Sequence, residues 1–257
     1  MTHCIKDMLG GTELIRVIGM GRLLHHNMIQ VIGINGGFHG LWFDLEHANN
    51  SISDLEVACI TARGQGLDSF CRVAPTDYAT VTRCLEAGAS GVMAAQISTA
   101  EQAEEFVSWC KFAPRGFRGL NAGGADGRYG TTPIAEFCER ANRENFVAIQ
   151  IETAESVEHC ESIAAIDGVD LLFVGPSDLS QSLGVTGDFF HDRCVAAIER
   201  VGQACRDQGK QWGAVSGGVE HAQLLIDNGC TMLSPTSDVK LVSAGIASIK
   251  AAFADFF

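Results

Sequence analysis

Gly40-Leu-Trp-Phe-Asp-Leu-Glu-His47 sets the reading of this chain. Gly40 to Phe43 has the apolar run of a buried strand, and Asp44, Glu46 and His47 follow at its C-terminal end. Three ionisable groups within four residues do not fit a core, but they fit a site at the mouth of a sheet. Three later apolar runs end in the same way: Phe70-Cys-Arg72, Ala148-Ile-Gln-Ile-Glu152 and Leu171-Leu-Phe-Val-Gly-Pro-Ser-Asp178.

Outward from these runs, strands and helices alternate along the chain. Strand candidates are Glu13–Gly19, Gly40–Phe43, Ser69–Val73, Gly91–Ala95, Phe146–Ile151, Asp170–Val174, Gln211–Val215 and Thr231–Ser234. Helical spacing fills the intervals, for example Leu24–Ile34 before Asn35-Gly36-Gly37, and Asp192–Gln208 before Gly209. Ser98-Thr-Ala-Glu101 has capping-box spacing at the head of another helix, and Ser237–Phe257 forms the last. Strands that alternate with helices pair in parallel. Eight such units with no linker predict one α/β domain over residues 1–257, a single (β/α)8 TIM barrel. An open doubly wound sheet is the runner-up, but no G-x-G-x-x-G follows the first strand. Residues 113–132 break the rhythm with six glycines and Arg115, Arg118 and Arg128, which suits a lid, a subunit contact or a plain surface excursion.

Of the 257 residues 46% are apolar and 19% charged, enough for a large core. A net charge of −13 argues against nucleic acid as a partner. No apolar run reaches membrane-spanning length, and the first seven residues do not resemble a signal peptide. The ten scattered cysteines lack zinc spacing and read as reduced, packed thiols of a cytoplasmic protein. The aromatic end, Phe253 to Phe257, predicts a tail docked on its own barrel or on a neighbouring subunit.

In a barrel all strand C-termini open on one face. Glu152 and Asp178 would there be hard oxygen ligands from adjacent strands, suited to octahedral Mg²⁺ or Mn²⁺. Arg72 has the planar fork that captures a carboxylate. His47 is a candidate base, with Asp44 as a partner to orient it. A metal, an arginine and a base suit deprotonation beside a 2-keto acid and carbon–carbon bond formation or cleavage. The five lysines, Lys6, Lys111, Lys210, Lys240 and Lys250, end no strand on the active face, which disfavours a Schiff-base route.

At these residues the chain resembles the HpcH/HpaI family of class II 2-keto acid aldolases. The resemblance rests on motifs in order: Asp44-Leu-Glu-His-Ala-Asn-Asn50, Cys71-Arg-Val73, Leu85-Glu-Ala-Gly88, Thr99-Ala-Glu-Gln-Ala103, Pro114-Arg-Gly-Phe-Arg-Gly119, Gln150-Ile-Glu-Thr153 and Val174-Gly-Pro-Ser-Asp-Leu-Ser180. It implies cleavage or formation of a 4-hydroxy-2-keto acid from pyruvate and an aldehyde. It implies Glu152 and Asp178 as ligands of Mg²⁺ or Mn²⁺, with Co²⁺ as another option. Arg72 and Gln150 would hold the keto acid, the backbone at Gly175 and Ser177 would meet its carboxylate, and His47 paired with Asp44 would be the base. Glu86 would order metal-bound water, and the assembly would be a homo-oligomer, a hexamer or trimer, with the last helix exchanged between subunits. A citrate-lyase-type or malyl-CoA-type lyase is the alternative, and Val215-Ser-Gly-Gly218 leaves open a phosphate-binding turn. One departure concerns the acceptor: the family's first-strand G-x-W reads Gly19-Met-Gly21-Arg22 here, which enlarges the pocket or adds a positive charge. In another, Ser234-Pro235 ends the last strand where small residues and glycine are usual.

Overall fold

The computed structural model describes residues 4–257; Met1, Thr2 and His3 of the polar lead-in lie outside the described residues. Eight parallel strands close into a barrel in sequential order: β1 (Ile15–Met20), β2 (Gly40–Asp44), β3 (Asp68–Val73), β4 (Gly91–Ala94), β5 (Phe146–Ile151), β6 (Leu171–Val174), β7 (Gln211–Val215) and β8 (Met232–Ser237). The predicted (β/α)8 fold is therefore the observed one. Boundaries differ by a few residues, most at β8, which continues three residues past Ser234. The helical segment between β5 and β6 is broken at His159 into Ala154–Glu158 and Cys160–Ala164.

Strand parity decides what reaches the site. Alternate side chains point to opposite faces of a strand. Ile15, Val17, Trp42, Phe70, Met93, Phe146, Ala148, Leu171, Phe173 and Met232 fill the barrel interior. Their neighbours, such as Leu41, Phe43, Cys71, Val92, Ile149 and Leu172, pack outward against the helices. Two residues beyond an inward position the chain points inward again, one layer higher. Trp42 thus predicts Asp44, Phe70 predicts Arg72, Ala148 predicts Gln150, and Phe173 predicts Gly175. The polar residues that end each apolar run are the top layer of the core, turned toward the mouth.

The opposite mouth is plugged. A four-residue helix, Ile5–Met8, seats fully buried Ile5 among the interior side chains. The Ile5 amide donates to Asp68 Oδ2 (2.8 Å), and Lys6 pairs with Asp170. Residues 113–132 also lie at this end. Ala125 donates to the carbonyl of Glu86, the last residue of the helix Tyr78–Glu86 that leads into β4. Arg118 is buried in this segment, paired with Asp126, its guanidinium 4.7 Å from the Phe112 ring. The segment therefore cannot act as a lid over its own barrel's active face; a subunit contact and a plain surface excursion remain as its readings.

The last helix, Asp238–Ala252, departs from the other helices: only Asp238 on it is buried. Val239, Val242, Ile246 and Ile249 are exposed, as are Phe253, Phe256 and Phe257 beyond it. The aromatic tail is not docked on its own barrel. Among the described residues no helix is long and apolar enough to cross a membrane.

Candidate active site

Asp44 and Arg72 are direct partners in the β2–β3 register, both inward and both about nine-tenths buried. Arg72 donates through Nε to Oδ1 (3.1 Å) and through Nη2 to Oδ2 (2.8 Å) of Asp44. This bidentate geometry matches the planar fork to the carboxylate. Its guanidinium lies 4.9 Å from the Trp42 ring, and Nη1 is 3.3 Å from Glu46 Oε2. Asp44 Oδ1 also accepts from the backbone amides of Glu46 (3.0 Å) and His47 (3.3 Å). Burial pushes the Asp44 carboxyl up, but the Arg72 hydrogen bonds and charge, aided by the two amides, outweigh it and hold the group below its ordinary value.

These contacts correct the expected pairing of His47 with Asp44. Both Asp44 oxygens are taken, and its only bond with His47 is to the backbone amide. The imidazole stands at the rim, 61% exposed, and the carboxylate beside its ring is Glu46, 3.8 Å from Nε2. That distance is too long for a hydrogen bond, so the ring is not locked.

The second half of the site is Glu152, 1% exposed, one residue past β5. Its Oε1 accepts from the backbone amide (2.8 Å) and side chain (3.0 Å) of Gln96, and Gln150 Nε2 donates to Oε2. Gln96 follows β4 with φ of 54°, a left-handed conformation unusual outside glycine. That conformation sets both its backbone and its side-chain nitrogen on one oxygen. Gly175 is required by close approach: a Cβ there would stand 2.5 Å from Glu152 Oε2 and 2.6 Å from Gln150 Nε2. Asp178, in the first turn of the helix Pro176–Ser182, shares with Glu152 and Gln96 a cavity of about 350 Å³.

Burial drives the Glu152 carboxyl up to about 7; the Gln96 amide opposes this, the charges of Glu46 and Asp178 add to it, and Arg72 counters. Buried Gln150 Oε1 lacks a hydrogen-bond partner, whereas Glu46 Oε2 has the Arg72 guanidinium as its ion-pair partner. Carboxylates crowded beside an unpaired acceptor suit a small divalent cation that retains water or substrate as further ligands. Among the described residues no three His, Cys, Asp or Glu side chains converge on one metal position. What the geometry does offer is two carboxylates, Glu152 and Asp178, on the wall of one cavity.

Two other expectations are corrected. Glu86 ends the helix before β4, so it lies at the plugged mouth and orders nothing at the site of its own barrel. The Gly175 amide donates to Ile151 O (3.3 Å), so only the exposed first turn at Ser177 can offer backbone to a carboxylate. The turn after β7 is closed as well. The Gly217 amide donates to His221 Nδ1 (3.0 Å), and Phe189 lies against Gly217, which removes the phosphate cradle. Gln96 was not picked out from the sequence, though it directly follows the apolar run Gly91–Ala95. Glu46 stood in the opening motif without a role, and the fold puts it against Arg72.

The sequence pattern of the HpcH/HpaI aldolase/citrate lyase family matches residues 22–244. The chain belongs to this family. It is 35% identical over 215 residues to the 4-hydroxy-4-methyl-2-oxoglutarate aldolase tasA of Hapsidospora irregularis, covering 82% of this chain and 78% of the relative. It is 29% identical over 224 residues to the 5-keto-4-deoxy-D-glucarate aldolase of Klebsiella pneumoniae, covering 87% and 86%. A solved structure of a family protein from Burkholderia cenocepacia superposes with a TM-score of 0.89 at 29% identity, covering 98% of this chain and 99% of that one. The chain is thus a carbon–carbon lyase of the HpcH/HpaI aldolase type, and membership implies a divalent metal ion.

Proposed function

We propose that this HpcH/HpaI aldolase cleaves and forms a 4-hydroxy-2-keto acid, with pyruvate and an aldehyde as the other side of the equilibrium. The observation that carries the reading is the convergence of Glu152, Asp178, Gln150 and the Arg72 fork at one mouth of a closed barrel. The relatives' names, oxoglutarate and glucarate aldolases, point to the same substrate class.

Glu152 and Asp178 would hold Mg²⁺ or Mn²⁺, with Co²⁺ also suited, and the ion would polarise the keto acid's oxygens and stabilise negative charge there. Arg72 spends two of its five donors on Asp44 and turns Nη1 toward Glu46, which leaves donors on Nη1 and Nη2 for a substrate oxygen on which charge develops. Trp42 and the Asp44 clamp fix the plane of that guanidinium. Gln150 has a free Oε1 for a substrate or water donor. Ser177 is the backbone position left for the substrate carboxylate. His47 is the proposed base, its ring free to turn over the mouth. In cleavage it takes the proton of the C4 hydroxyl, the C3–C4 bond breaks toward the keto oxygen, the aldehyde leaves, and C3 regains a proton. Glu46, beside the ring, would stabilise the imidazolium in the role first assigned to Asp44.

A Schiff-base route has no buried amine at this mouth among the described residues, and Lys240, near the start of the last helix, is exposed. Lys111 donates to the carbonyls of Asn142 and Asn145, and Lys210 to Val169, all at the other end of the strands. The exposed apolar face of the last helix supports a homo-oligomer in which this helix packs on a neighbour, a hexamer or trimer. Ten free cysteines, eight of them buried, support a reducing cytoplasmic setting.

Exchange of pyruvate methyl protons in D2O, followed by NMR with Mg²⁺ or Mn²⁺ and then with EDTA, tests the reading. Metal-dependent exchange that is lost in His47→Ala is the expected result. Exchange that persists in EDTA, or full exchange in His47→Ala, overturns it.

A further inference from the structure

The two oxygens of Glu152 are used unequally. Each oxygen of an ionised carboxylate has two lone pairs to offer. Oε1 accepts from the Gln96 backbone amide (2.8 Å) and from Gln96 Nε2 (3.0 Å), which takes both. Among the described residues Oε2 accepts from Gln150 Nε2 alone, and Gly175 leaves its flank without a side chain. One lone pair of this enclosed carboxylate is therefore open, and it is on Oε2.

The Gln96 backbone shows that its side chain has a purpose there. The Ala95 amide closes the end of β4 by donating to Val73 O (3.0 Å), and the next residue turns with φ of 54°. Glycine takes that conformation without strain and would donate the same backbone bond. The residue present bears the strain, and what it adds is a side-chain donor on the same oxygen. Packing does not hold that side chain in place: Gln96 is exposed, on the wall of the cavity it shares with Glu152 and Asp178. Among the described residues its amide group hydrogen-bonds with Glu152 only. Asp178 is the opposite case. It is half-buried and accepts no hydrogen bond among the described residues, so it can turn to meet an ion, whereas Glu152 cannot.

We infer that Gln96 is a positioning residue that confines Glu152 to one-oxygen ligation and so selects a small octahedral cation, Mg²⁺ or Mn²⁺, against Ca²⁺. This rests on the proposed reading of Glu152 as a metal ligand and adds what decides between ions. Ca²⁺ is larger, takes more oxygens and is favoured by a carboxylate that offers both of its own, whereas Mg²⁺ demands near-ideal octahedral geometry. A carboxylate with one oxygen already filled cannot close both on a single ion. A neighbour that fixes a ligating group in this way is typically worth about 10- to 100-fold in metal affinity.

The test uses the full chain freed of metal, without substrate. Mn²⁺ binding is read from the loss of the free-ion EPR signal, and Mg²⁺ and Ca²⁺ are each used to compete it off. Wild type is expected to prefer Mg²⁺ over Ca²⁺ by at least about tenfold. Gln96→Met keeps the length of the side chain and drops its donor. Gln96→Gly drops the whole side chain and adopts the turn freely, so it guards against a folding fault in the first variant. Both should lower the preference for Mg²⁺ over Ca²⁺ about tenfold. A loss of all three ions by one common factor is what a purely structural glutamine would give. That result overturns the role of Gln96, as does an unchanged preference or a wild type that favours Ca²⁺. Mn²⁺ binding that is absent from wild type, or that survives in Glu152→Gln, strikes the ligand reading itself.

Discussion

The two mouths of this barrel hold similar side chains in opposite conditions. At the plugged mouth, Asp68 accepts the amides of Ile5 and Ser69, Asp170 holds Lys6 and the Val147 amide, and Lys111 and Lys210 are capped by carbonyls. At the open mouth, Glu152 is pushed up to about 7 by burial among other acids, Gln96 sits in a left-handed conformation, and the buried Gln150 Oε1 goes unpaired. The first arrangement stabilises the fold; the second gives up stability to keep groups available for a ligand. The same division between a stabilising and a functional end is general to these barrels.

The largest expected effect comes from Glu152→Gln. Turnover should fall at least ~1,000-fold with loss of a metal ligand. Wild type freed of metal by EDTA should gain about 2.7 kcal/mol from Mg²⁺ or Mn²⁺ at a hundred times Kd, and the variant almost nothing. Thermal denaturation reads both. The metal-free variant should melt no lower than wild type, because a crowded acid has been removed. A clear drop in its melting temperature would abolish the contrast between the mouths.

Asp170→Ala probes the other end. It strands the Val147 amide and Lys6, at a cost of about 1–3 kcal/mol in urea denaturation. Aldol turnover below the melting range should stay within about twofold. A larger fall in turnover would mean that the two ends are coupled.

Acid titration sharpens the comparison within the open mouth, where Asp44, unlike Glu152, is hydrogen-bonded directly to a guanidinium. Its folded value lies below the ordinary 3.8, so the Arg72 clamp stabilises the protein above that pH. The contribution is lost as pH falls through the folded value. The stability difference between wild type and Asp44→Asn should thus be constant near neutrality and shrink below about pH 4. A difference that grows toward acid pH would contradict the assignment.

The smallest effect concerns the thiols. Burial drives Cys59, Cys110, Cys160, Cys205 and Cys230 up to about 12. Native protein at pH 8 should therefore be alkylated by iodoacetamide mainly at Cys4 and Cys138, the two partly exposed thiols, as mass spectrometry would show. Rapid modification of the buried set would place local opening in the strands and helices that both mouths depend on.

The sequence by itself determined the eight strand–helix units and the face on which Asp44, Arg72, Gln150 and Glu152 emerge. Hydrophobic period and strand parity are local properties, and each polar residue that ends an apolar run inherits its direction from the run. Partner choice was not legible, because it depends on which strands close on one another. The β2–β3 register gave Asp44 to Arg72 and left His47 at the rim beside Glu46. Barrel closure brought Gln96 to Glu152 across fifty-six positions of chain and sent Glu86 to the far end. Gly19 and Trp42 show the same limit. A missing tryptophan was visible in the sequence, but only the packed barrel decided that an indole from the neighbouring strand would turn inward against Gly19.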